Sequence, residues 1–180
     1  MCIRDSFSEL WHKIRNGESL TYSWNIGMGT NFTSLFAYYL ASPSNWFVAL
    51  FPQKYTIEIM NAFIILKIAG SSLSLTYYLT KHNNNKHVIA AIFGMFYGMS
   101  GFIAAYSWNI MWLDCVILIP LIMLGLERLV NENRCIFYCI TLGLCIFTNY
   151  YIAIMVCLSV VIYYVVLMIA YNGIKSPMQY

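Results

Sequence analysis

Residues 135–171 read CIFYCITLGLCIFTNYYIAIMVCLSVVIYYVVLMIAY, a run without one formally charged side chain. A straight helix of that length would measure about 55 Å, whereas the hydrocarbon core of a bilayer is about 30 Å thick. The polar group Thr148-Asn-Tyr-Tyr151 lies at the middle of the run. We therefore expect two membrane spans, 135–148 and 152–171, separated by a break at Asn149.

The composition of the whole chain supports a membrane location. Hydrophobic residues make up 61% of the sequence and charged residues only 9%, against about 25% charged residues in soluble domains. The net charge of +3 comes from scattered residues, so nothing indicates nucleic-acid binding. Cys135 and Cys139 lie four residues apart but have no companion ligands, and we expect neither a metal site nor a cofactor.

Three further apolar segments are long enough to be spans, at 57–80, 88–106 and 115–129. Gly94, Gly98 and Gly101 in the second of these favour close helix packing. The predicted fold is all-α: a polytopic transmembrane bundle of about five spans that forms one membrane domain over 57–175. We expect it to lie in the bacterial plasma membrane as a multi-pass protein in contact with lipid.

Residues 7–56 are predicted to form an outer-face segment of amphipathic, interfacial or re-entrant helices. Phe7 to Asn16 has apolar residues at helical spacing and ends before Gly17. That helix lies on the membrane or on the protein, or its Lys13 and Arg15 contact anionic lipid. Pro43 breaks the apolar segment that follows. Residues 1–6 resemble a translated sequencing adapter, which leaves open whether they are native.

The distribution of basic residues orients the spans. Five of them lie near span ends on one side, and only Lys54 lies near a span on the other. The five are Lys81, Lys86, Arg128, Arg134 and Lys175. The loops 81–87 and 127–134 are therefore predicted to be cytoplasmic, with Glu127 as a loop charge and His82 as a surface residue.

One pentapeptide occurs twice on the predicted outer side, as Tyr22-Ser-Trp-Asn-Ile26 and Tyr106-Ser-Trp-Asn-Ile110. Shared anchoring of aromatic rings at the membrane interface is one explanation. The other is a common outer cleft for a carbohydrate or a lipid-linked sugar, because Trp stacks on sugar faces and Asn bonds hydroxyls. The residues expected to bind substrate there are Trp24, Asn25, Trp108, Asn109 and Asn149.

Two ionisable residues near the outer side are further candidates. Lys67 lies well inside the first span, where an ionisable side chain usually indicates function. It binds a lipid-carrier phosphate, pairs with a structural carboxylate, or extends its amine to the interface; Glu58 is on nearly the opposite helix face. Asp114 orients an acceptor hydroxyl, acts as a base, or caps a helix that starts near Cys115.

Long, ordered motifs resemble the YfhO family of bacterial membrane proteins over nearly the whole chain after Phe7. They are YSWNIGMGTNF at 22–32, AYYLASPSNW at 37–46, Lys67 within its span, YGMSGFIAAYSWNIMWLD at 97–114, PLIMLGLERL at 120–129 and TNYY at 148–151. The resemblance implies a GT-C glycosyltransferase architecture. It also implies sugar transfer on the outer face from a polyprenyl-phosphate carrier to a cell-envelope polymer such as a teichoic acid.

The sequence departs from the family pattern at its start. Family members begin with another membrane helix and an outer loop whose acidic residue is the proposed base, and Asp5 does not lie in a matching motif. We therefore expect an inactive fragment whose catalytic residue is unknown, with Asp114 a weak candidate. The alternatives are a transporter or flippase of a lipid-linked sugar, and a non-catalytic membrane subunit.

Overall fold

The computed structural model describes residues 3–25, 29–37, 42–43, 52–83 and 87–175. Helices dominate this part of the chain, with one antiparallel pair of two-residue strands, β1 (Tyr22–Ser23) and β2 (Thr30–Asn31). In chain order the helices are α1 (Ile3–Asn16), α2 (Phe32–Leu35), α3 (Thr56–Asn83), α4 (His87–Gly98), α5 (Gly101–Tyr106), α6 (Ile110–Glu132), α7 (Ile136–Thr148) and α8 (Tyr150–Lys175). The segment AYYLASPSNW at 37–46 was expected to form part of the interfacial or re-entrant helices. It lies largely outside the described residues.

Helix α6 is the centre of the bundle. It packs against α3, α7 and α8, while α4 packs against α3; the Tyr97 hydroxyl of α4 also donates a 2.9 Å hydrogen bond to the carbonyl oxygen of Val116 in α6. Four helical segments are long and apolar enough to cross a membrane, namely Ile57–Asn83, Val88–Tyr106, Ile110–Glu132 and Tyr150–Ala170, and Ile136–Thr148 is a shorter apolar helix. The predicted all-α membrane bundle is confirmed; within the described residues, four segments are long enough to be spans, whereas the predicted span at 135–148 is a shorter helix.

Two predicted spans differ in their details from the helices in the structure. The segment 88–106 consists of α4 and α5, which are separated at Met99 and Ser100. Helix α6 begins at Ile110, five residues before the expected start at Cys115. It starts early because Ile110, Met111 and Leu113 are buried against the rest of the bundle, so apolar packing begins before Cys115.

Small residues bring α3 and α4 into close contact. A Cβ atom at Gly94 would collide with Thr76 Oγ1 and lie 2.6 Å from the carbonyl oxygen of Ser72. A Cβ atom at Gly98 would collide with the Ser72 hydroxyl. Gly101 has open space instead. The close approach predicted from the three glycines therefore rests on Gly94 and Gly98.

The break at Asn149 turns the chain between α7 and α8. Asn149 has an extended backbone, with φ −158° and ψ 106°, and its side-chain oxygen accepts a hydrogen bond from the Ile152 amide at 3.0 Å. An Asn in this position caps the N-terminus of the following helix. Because α7 has 13 residues, it is about 20 Å long, shorter than the hydrocarbon core.

The N-terminal helix is attached to the loop that follows it by buried polar side chains. The Lys13 amine donates hydrogen bonds to the carbonyl oxygens of Ser19 and Tyr22, at 2.8 and 2.9 Å. Glu9 accepts a hydrogen bond of 2.6 Å from the Ser23 hydroxyl. Lys13 is buried, and its amine donates hydrogen bonds to the loop. The proposed contact of Lys13 with anionic lipid is therefore wrong.

Candidate functional site

A buried ion pair joins α3 to α6. The Lys67 amine lies 2.8 Å from Asp114 Oδ2 and also donates a 3.1 Å hydrogen bond to the carbonyl oxygen of Ile110. The Lys67 side chain is 2% exposed and the Asp114 side chain 13%. The carboxylate offsets the cost of removing an ammonium group from water, which is several kcal/mol for an isolated charge within a membrane (on the order of 3 kcal/mol or more).

The helix boundaries explain why these two side chains meet. Asp114 is the fifth residue of α6, and the N-cap of that helix is Asn109. Asp114 therefore does not cap the helix, and the capping alternative is wrong because α6 begins one turn earlier than expected. Ile110 and Asp114 are four residues apart and share one helix face, so a single amine on α3 contacts both.

The pair still has hydrogen-bonding capacity. An ammonium group has three donors, and two of those of Lys67 are used by Ile110 and Asp114. Among the residues that the structure describes, the Asp114 side chain has its one hydrogen bond at Oδ2. Within the described ranges, Asp114 Oδ1 is therefore an acceptor without a donor, next to a fixed positive charge.

Residues 22–25 of the first YSWNI segment and the whole of the second segment lie at the same end of the bundle as this pair. Leu10 of α1 and Phe32 of α2 form one buried cluster with Ile110, the last residue of the second segment. Trp24 is 78% exposed and Trp108 is 61% exposed. We call this end the outer end, following the distribution of basic residues.

The asparagines of the two segments have different environments. Asn25 donates a 3.2 Å hydrogen bond to Glu9 Oε2, so its amide holds the loop against α1. Asn109 is buried and precedes α6. Asn149 is fully buried, beside the core cluster of Cys115, Cys145 and Ala153. The structure thus brings Lys67 and Asp114 together and places Asn149 in the packed interior.

A second polar cluster lies at the opposite, inner end. Glu127 Oε1 accepts hydrogen bonds from the hydroxyls of Tyr78 and Tyr163, at 2.8 and 2.5 Å. His82 Nδ1 lies 3.1 Å from Glu127 Oε2. Glu127 is 8% exposed, so its assignment as a loop charge is wrong: α6 continues to Glu132 and buries it. Sequence analysis missed this cluster, which joins α3, α6 and α8.

The described residues contain no group of three or more His, Cys, Asp or Glu side chains arranged to hold a metal ion. Within the same ranges the cysteines are free thiols, with Cys135 and Cys139 exposed and Cys115 and Cys145 buried.

A helical bundle with apolar spans and polar clusters at both ends defines a polytopic membrane protein. The family model described as "Bacterial membrane protein YfhO" matches residues 3–180. The chain belongs to the YfhO family and is a bacterial membrane protein. No curated protein matches the chain, and no solved structure matches it.

Proposed function

We propose that this chain is part of a membrane-embedded glycosyltransferase. It transfers a sugar from a polyprenyl-phosphate carrier to a cell-envelope polymer, such as a teichoic acid, on the outer face. The observation that carries the proposal is the ion pair of Lys67 and Asp114, buried at the end of the bundle where Trp24 and Trp108 are exposed. Ionisable groups inside membrane spans generally serve a function.

The residues at this end have the chemistry that sugar transfer needs. The third donor of the Lys67 ammonium group donates a hydrogen bond to a phosphate oxygen of the carrier. Asp114 Oδ1 accepts a hydrogen bond from an acceptor hydroxyl. Trp24 and Trp108 provide exposed apolar faces for sugar rings.

The pairing with Asp114 changes the expected role of Lys67. A free ammonium group would bind phosphate mainly through its net charge, whereas the pair is neutral overall. Lys67 therefore orients the phosphate through a fixed N–H, and the net attraction to the carrier is small. We assign no general base to this chain.

The proposal is tested in a bacterial strain from which the complete gene encoding this chain has been deleted. Envelope polymers are purified from the parent, the deletion strain and the complemented strain, and their sugars are measured by gas chromatography and mass spectrometry. We expect one sugar substituent to disappear on deletion and return on complementation. Identical sugar contents in the three strains would contradict the proposal.

A separate assay distinguishes transfer from transport. The purified complete protein is incorporated into liposomes with a radiolabelled polyprenyl-phosphate sugar and the isolated polymer. The proposal predicts label in the polymer fraction. Movement of labelled lipid across the bilayer without labelled polymer would indicate a flippase.

A further inference from the structure

We propose that a groove between the ends of α6 and α7 binds an anionic phospholipid of the cytoplasmic leaflet. The groove has a volume of about 800 Å³ and lies where α6 ends and α7 begins. Arg128 and Arg134 are on its rim, and Ile136, Phe137 and Ile140 form its apolar wall. This site is at the opposite end of the bundle from the ion pair of Lys67 and Asp114, so it is independent of the proposed sugar transfer.

The rim carries more positive than negative charge. The Arg128 guanidinium lies 5.4 Å from the centre of the Phe137 ring, and in the described part of the chain Arg128 forms no salt bridge. Arg134 is 3.8 Å from Glu132, with both side chains exposed, and such an exposed pair holds the guanidinium group only weakly. Two guanidinium groups are thus available to a phosphate, opposed by one carboxylate.

The wall leads from this rim into the membrane. Ile136 and Ile140 are 72% and 56% exposed and lie four residues apart, on one face of α7. A phospholipid with its phosphate at the two arginines would therefore place an acyl chain along these isoleucines. The N-terminus of α7 adds partial positive charge at the same level. Basic residues above an apolar helix face fit an anionic lipid better than a soluble phosphate.

The test is native mass spectrometry of the complete protein in detergent with dioleoylphosphatidylglycerol, dioleoylphosphatidylcholine or glycerol 1-phosphate. We expect phosphatidylglycerol to be retained about tenfold more than phosphatidylcholine, since the two arginines attract its net negative charge more strongly than the single Glu132 carboxylate repels it. The double variant Arg128→Gln/Arg134→Gln should lose most of that preference. The variant Lys54→Gln, which removes an exposed basic residue outside the groove, should keep it.

A further variant tests the site without removing an arginine. Ile136→Asp suits the first turn of a helix but repels a phosphate, so folding should be preserved, as checked by size-exclusion chromatography, while retention of phosphatidylglycerol falls. Equal retention of phosphatidylglycerol by the wild type, the double arginine variant and Ile136→Asp would overturn the proposal. Equal retention of the two lipids, or displacement of lipid by glycerol 1-phosphate at the same concentration, would also overturn it.

Discussion

The Lys67 amine lies 2.8 Å from Asp114 Oδ2 in the interior of the bundle, and this contact joins two helices that are far apart in sequence. The same amine holds the carbonyl oxygen of Ile110, at the first turn of α6. Lys67 thereby fixes α3 relative to the outer end of α6. The Glu127 cluster likewise joins α3 to α6 through polar side chains, at the inner end of the bundle.

The ion pair predicts an asymmetry between its two single variants. Asp114→Asn leaves a nearly inaccessible ammonium group without a carboxylate, and we expect a loss of about 3–5 kcal/mol in the free energy of unfolding. Lys67→Met leaves the more accessible carboxylate unpaired and should cost less. The double variant Lys67→Met/Asp114→Asn should be more stable than Asp114→Asn alone. Reversible unfolding in mixed micelles measures all three, and equal stability of the four proteins would contradict a paired charge.

The contact between α3 and α4 predicts a steric effect at Gly94. Gly94→Ala would place a methyl group against Thr76 and the Ser72 carbonyl, and we expect a destabilisation of about 1–3 kcal/mol from overpacking. Gly143→Ala is the control because its new Cβ meets no atom within 4 Å apart from the adjacent residues and backbone of its own helix, and alanine favours a helix over glycine by about 1 kcal/mol. Thermal unfolding in detergent should lower the transition temperature for the first variant and keep or raise it for the second.

The Glu127 cluster predicts different roles for two adjacent tyrosines of α8. Tyr163→Phe removes a phenol that donates to a buried carboxylate, and we expect a loss of about 1.5–3 kcal/mol. Tyr164, which is 43% exposed, is the matched control, and Tyr164→Phe should be within about 0.5 kcal/mol of wild type. The measurement is the unfolding midpoint of each purified variant. A similar change in both would show that the phenol of Tyr163 contributes nothing specific.

The orientation predicted from the basic residues can be tested by cysteine labelling in intact cells. In a background without the six native cysteines, Ser107→Cys should react with a membrane-impermeant maleimide. Asn131→Cys, at the exposed inner end of α6, should react only after the cells are permeabilised. The reverse pattern would invert the topology and place Lys67 and Asp114 on the cytoplasmic side.

The membrane bundle could be predicted from the sequence because a charge-free stretch as long as 135–171 cannot form the surface of a water-soluble fold. It also identified Lys67, since an ammonium group within an apolar segment needs a partner. The partner was missed because the span was expected to begin at Cys115, which placed Asp114 outside the helix. Asp114 is the outer-side carboxylate next to a predicted span other than Glu58, and comparing Lys67 with it would identify the pair.

The inner cluster could not be derived from sequence for a different reason. Glu127 lies in LERLVNENR, a segment whose composition is that of a polar loop. Its burial depends on tertiary contacts with Tyr78 of α3 and Tyr163 of α8. Those partners are 49 and 36 residues away, and no periodicity in the sequence connects them.

We propose that the ion pair of Lys67 and Asp114 serves sugar transfer, and this role can be measured directly. The direct measurement is the sugar content of envelope polymers in the deletion strain complemented with the complete gene carrying Lys67→Met or the control Lys81→Met. Membrane levels of each protein are matched by immunoblotting. We expect Lys67→Met to leave the polymer without its substituent and Lys81→Met to restore it. Full restoration by Lys67→Met at equal protein levels would contradict the claim.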